Sequence, residues 1–202
     1  MSNTFFSKEN RANPYFRFIF LFPCIYIMLH YFNIFYMGIT APGNYYSLFL
    51  DEHLNYISGL RSTLLAASEV FLKWMGYKVY TSEYTLHAYN VGGINVVYSC
   101  LGFGVMSFFT AFVIAWPGKT IKNKLVFLLC GLLGIQLLNL ARFILITLYW
   151  RSVDLPFQID HHNLFNGLLY TILIAALYTW TNYNSQKDLP GQRFTDRPSH
   201  LT

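Results

Sequence analysis

Charge is what this chain has least of. Only 11% of its 202 residues are Asp, Glu, Lys or Arg, against about 25% in ordinary soluble domains, whereas 54% are hydrophobic. That balance excludes an ordinary soluble domain and points to an integral membrane protein. Cysteine is scarce as well. Cys24, Cys100 and Cys130 stand far apart with no ligand spacing, so neither a disulfide framework nor a zinc site is expected, and no cofactor is implied. The adjacent His161 and His162 do not suggest a metal either, because neighbours on a helix cannot present both imidazoles from one face. No Gly-x-Ser-x-Gly elbow occurs, which argues against a serine hydrolase of that kind. A formal charge of +5 would suit nucleic acid if it formed a stripe. The basic residues instead fall in short clusters beside apolar runs, so the charge reads as membrane topology and no nucleic-acid partner is expected.

What remains is apolar runs of membrane-crossing length. A bilayer core requires roughly 20 residues of helix. The pattern predicts spans at about Phe16–Ile39, Cys100–Trp116, Leu125–Trp150 and His162–Asn182. His30 in the first span is read as packed, and Cys24 and Cys130 as packing residues in mid-span. Thr40–Ser58, with Pro42-Gly43-Asn44, reads as a loop. Between Gly59 and Tyr77, Leu60, Leu64, Ala67, Phe71 and Trp74 recur at helical spacing opposite Arg61, Ser62, Ser68, Glu69 and Lys73. This predicts an amphipathic helix lying along the interface, with a fifth span as the alternative. Residues 78–99, rich in Thr, Tyr and Val and broken at Asn90 and Gly92-Gly93, predict a bent strand or hairpin. The expected fold is an all-α polytopic membrane protein with four to five transmembrane helices, an outer-face amphipathic helix and a short extended segment. The domain plan is a cytoplasmic tail at 1–15, one membrane-embedded domain at 16–182 and a cytoplasmic tail at 183–202.

Lysine and arginine set the orientation, since cytoplasmic flanks carry the excess. Lys8, Arg11 and Arg17, then Lys119, Lys122 and Lys124, then Lys187, Arg193 and Arg197 place nine of the fourteen on one side. Both termini are then cytoplasmic in a multi-pass protein of the cell's inner (cytoplasmic) membrane. The acids Asp51, Glu52, Glu69, Glu83, Asp154 and Asp160 lie on the outer segments.

On that plan three reactive side chains reach a common height. At a helical rise of about 1.5 Å per residue, Cys100 stands about 24 Å above Trp116, Arg142 about 26 Å above Leu125 and His162 about 27 Å above Trp180. That is just inside the outer interface of a core about 30 Å thick. A guanidinium within a span costs at least about 2.5 kcal/mol and faces a protein interior or watery cavity. With Gln136 and Asn139 at i−6 and i−3, Arg142 completes an inward polar stripe; the alternative is snorkelling to the outer headgroups, for which Arg151 is better placed. His162 shares a helical face with Asn166, and Asp160 or Asn166 can fix its tautomer. His161 shares its face with Phe165 and Leu168, although an interfacial His pair that merely caps the helix fits the same residues.

Taken together, Ser99-Cys100-Leu101-Gly102, Asn139-Leu140-Ala141-Arg142 and His161-His162 resemble the exosortase/archaeosortase family of membrane transpeptidases. Its pattern is a Cys at the outer end of one span, an Arg inside the next and a His or second Arg opening a later one. Relatives often carry Ser directly after the Cys, where this chain has Leu101, and many have more spans, so the chain resembles a compact member. The resemblance implies cleavage of a C-terminal sorting signal on a membrane-anchored substrate protein, with transfer to a cell-surface acceptor. The chemistry of the residues is compatible: cations favour the reactive thiolate, so Cys100 can attack the carbonyl. Arg142 can stabilise thiolate and oxyanion, and His162 can shuttle the proton. The competing class is a non-catalytic polytopic protein, an assembly partner or small transporter subunit, with a buried network around Arg142.

Overall fold

A computed structural model describes residues 14–41, 46–149 and 161–183, with side chains described from 165 onward in the last stretch. The Pro42-Gly43-Asn44 turn, Trp150, Arg151, Asp154, Asp160 and residues 1–13 and 184–202 of the expected tails lie outside the described residues. The chain divides into two compact units, Met1–Asp160 and His161–Thr202.

In the first unit, α1 (Pro14–Thr40) covers the first expected span. It packs along α4 (Phe103–Ala115) through an aromatic seam in which Phe18 and Phe22 meet Phe108, Phe112 and Trp116 at ring-centroid distances of 5.2–5.9 Å. Much of its remaining surface, including Ile19, Phe20, Ile27, Met28, Phe32 and Phe35, is exposed. Apolar surface of that extent suits lipid rather than water. The long α5 (Ile121–Tyr149) lies against α4, and Phe109 fills the notch at Gly131, where an added Cβ would meet the ring at 2.1 Å. Among the described residues two helices, α1 and α5, are long and apolar enough to cross a membrane, and α4 is a shorter apolar helix.

Five expectations need correction. The segment read as a loop contains α2 (Leu48–Leu54), and the amphipathic helix, α3, starts earlier, at Tyr56, and runs to Trp74 with Asn55 accepting from the Ser58 N–H. Its apolar stripe is also turned from the one expected. Ile57, Leu64, Leu65, Ser68 and Leu72 are buried, while Phe71 and Trp74 are exposed, Trp74 by 82%. Ser68 tolerates burial because its hydroxyl donates to the Leu64 carbonyl at 2.7 Å. The Cys100-to-Trp116 span does not begin as a helix at Cys100. Tyr98–Leu101 form a 3₁₀ turn, Gly102 adopts φ +75°, and α4 starts only at Phe103. Cys24 and Cys130, expected to pack, are exposed.

The hairpin expected at 78–99 is a three-stranded antiparallel sheet, β1 (Val79–Thr81), β2 (Thr85–Ala88) and β3 (Gly92–Asn95), in the order β1-β2-β3 with Tyr80 opposite His87 and Leu86 opposite Ile94. β3 lies so close to α5 that a Cβ on Gly92 would stand 2.9 Å from the Thr147 carbonyl oxygen. Ile57, Leu64, Leu65 and Leu72 of α3 join Leu86, Val96, Leu101, Phe103, Phe143 and Ile144 in one core cluster, and Cys100 packs against its edge. The second unit is described by α6 (His161–Tyr183), which coincides with the fourth expected span and buries Leu169, Leu173 and Leu177 at four-residue spacing.

Candidate active site

Cys100 is half-buried in the 3₁₀ turn, its N–H bonded to the Val97 carbonyl at 2.9 Å. Three side chains on one face of α5 hold the carbonyls of that turn. Arg142 Nη2 reaches the Cys100 oxygen at 3.5 Å, and Asn139 Nδ2 donates to the Leu101 oxygen at 3.2 Å. Gln136 Nε2 donates to the same oxygen at 3.3 Å and lies 2.9 Å from Met106 Sδ. Asn139 also donates to Gln136 Oε1 at 3.3 Å. Asn139 is 1% and Arg142 6% exposed, so the guanidinium points into the protein rather than toward headgroups. The spacing i, i+3, i+6 puts all three on one helical face, and it delivers a permanent cation to the backbone of Cys100.

Gly102 is what lets α5 come so near. Its left-handed backbone is one that L side chains avoid, and a Cβ there would lie 2.7 Å from Asn139 Nδ2. On the opposite side of the turn, Tyr98 stacks on Phe103 with ring centroids 5.4 Å apart. Burial raises the Tyr98 phenol above its ordinary value. Tyr56, at the start of α3, meets the edge of Phe103 at 5.8 Å. Burial, then the neighbouring Tyr98 and Tyr36, push its phenol up to about 12.

Residues 18–180 match the sequence model of the family described as Transmembrane exosortase (Exosortase_EpsH). The chain belongs to the transmembrane exosortase family. It is therefore a membrane protein of a family whose members are transpeptidase-like enzymes. No curated protein and no solved structure matches the chain.

Of the residues singled out from the exosortase pattern, Cys100, Arg142 and Asn139 come together in the first unit. His161 and His162 are the first two residues of α6 in the second unit, and their side chains lie outside the described residues. Asn166 is half-buried on the same helix, and Asp160 is outside the described residues. Sequence reasoning missed Asn33 and Tyr56. Asn33 could have been found as a lone amide in an otherwise apolar run. It also placed Arg61 on the polar side of α3, whereas its guanidinium lies 4.0 Å from the Tyr84 ring centroid and 3.8 Å from Glu83, against the β1–β2 turn.

Proposed function

We propose that this exosortase-family protein is a cysteine transpeptidase or peptidase with Cys100 as nucleophile, Arg142 as electrostatic stabiliser and His162 as general acid and base. The observation that supports it best is the buried Arg142 guanidinium at 3.5 Å from the Cys100 carbonyl. A cation held there can meet the oxyanion that forms when sulfur attacks a scissile carbonyl. His162 would protonate the leaving amine and then deprotonate the incoming nucleophile, with Asp160 or Asn166 orienting it and His161 as the alternative imidazole. The substrate is a membrane-anchored protein whose C-terminal sorting signal is cleaved on the extracytoplasmic side, and its new acyl end passes to a cell-surface acceptor. Four to five spans, one membrane-embedded domain at 16–182 and two cytoplasmic termini complete the reading.

Cys100→Ala is expected to abolish processing with protein abundance unchanged, because losing one half-buried sulfur makes only a small cavity. Arg142→Lys should fail too, since lysine keeps the charge and loses the planar array of donors. Immunoblots of abundance and of the substrate's processed form check both. Residual processing at the parent level in Cys100→Ala would leave the polar network around Arg142 as structure alone.

A further inference from the structure

An amide inside an apolar span has no place in the chemistry above, yet Asn33 on α1 uses all of its hydrogen-bonding groups. Its Nδ2 donates to the Leu29 carbonyl at 2.8 Å and to Ser107 Oγ at 3.2 Å, and its Oδ1 accepts from the Tyr56 hydroxyl at 2.6 Å. Both partners lead to the cysteine turn. Ser107, buried on α4, donates to the Phe103 carbonyl at 2.8 Å. Tyr56 presses its ring on Phe103, which in turn stacks on Tyr98 at an interplanar angle of 11°. Tyr98 and Phe103 bracket Cys100 in sequence, so α1 reaches the turn from the backbone on one side and from the rings on the other. A helix that served only as an anchor would need none of this.

We propose that Asn33, Tyr56 and Ser107 form a positioning triad through which the first span fixes the nucleophile turn, a role that rests on the reading of Cys100 as nucleophile. Tyr56 is 39% exposed, so water can replace the bond its hydroxyl makes, and Tyr56→Phe should loosen the turn without unfolding the protein. The turn then opens locally and Cys100 becomes more accessible.

The test uses the full chain in lipid nanodiscs with Cys24→Ser and Cys130→Ser, which leaves Cys100 as the sole thiol, and measures its rate of alkylation by iodoacetamide. Tyr56→Phe and Ser107→Ala should each speed alkylation by roughly threefold or more, with the thermal unfolding midpoint held. A Val113→Cys reporter in a Cys100→Ser version, buried elsewhere on α4, should keep its rate in the same variants. Parent-rate alkylation of Cys100 in both variants overturns the triad, and so does equal acceleration of the Val113→Cys reporter, which would signify general loosening. Alkylation needs no substrate. Processing retained by Cys100→Ala would therefore overturn the nucleophile reading and leave this measurement intact.

Discussion

At the scale of single residues, the site depends on an absence as much as on the thiol. Gly102 has no side chain, and that permits both its φ of +75° and the approach of Asn139 to the Leu101 carbonyl. Gly102→Ala is expected to destabilise the protein by roughly 1–2 kcal/mol from the left-handed backbone alone, with a further loss from the collision with Asn139. Thermal unfolding in detergent checks it; an unchanged midpoint would mean that the turn has another conformation open to it. Gly104, two residues on, has open space around it, and alanine there should be tolerated. Arg142 and Asn139 were legible in the sequence because a charge and an amide in an apolar run stand out and their spacing names a shared face. Their target was not, since nothing in the residue order says that a 3₁₀ turn brings the carbonyls of Cys100 and Leu101 to that face. For the histidines, helical spacing favours His162, which shares a face with Asn166, over His161, and both side chains lie outside the described residues.

At the scale of elements, apolar length located α1, α5 and α6 but not the short α2, and amphipathic phase misplaced the face of α3. α3 was read from the apolarity of Phe71 and Trp74, yet both point outward while Ser68 is fully buried. In a membrane protein outward apolar residues have lipid as a solvent, so hydrophobicity ceases to mark the inside. The helix is also tied to β1 by Glu69, which accepts from Lys73 and from Thr81. Those bonds, Lys73 first, hold the Glu69 carboxyl below its ordinary range. A carboxylate with a depressed folded value contributes its stability above the unfolded value of about 4.3, and loses it as pH falls through the folded value. Protection of the β1 amides, measured relative to their intrinsic exchange rate at each pH, should therefore fall on acidification below about pH 4, and Glu69→Gln should remove that dependence. A pH response that survives in Glu69→Gln would assign it to another group. The interfacial placement of α3 is tested at Ala66, which is exposed. A Cys introduced there should react with an impermeant reagent added outside, and reaction only from the cytoplasm would make α3 a span.

At the scale of the whole molecule, action on extracytoplasmic substrates requires the cysteine turn and its sheet on the outer side and the Lys119, Lys122 and Lys124 loop on the cytoplasmic side. Lys122 is exposed at the start of α5. A Lys122→Cys probe should resist an impermeant maleimide in intact cells and react after permeabilisation; the opposite pattern would invert the protein and remove its access to extracytoplasmic substrates. The central claim is narrower, that Cys100 carries the acyl group of the substrate. It is tested most directly by mass spectrometry of the protein isolated, after rapid acid quenching, from cells that hold its natural substrate. A hydroxylamine-sensitive peptide adduct on Cys100 of the parent protein is expected, absent in Cys100→Ala and no more abundant in His162→Ala, which lacks the acid for the leaving amine. Continued substrate processing by Cys100→Ala, with no adduct on the parent protein, would contradict it.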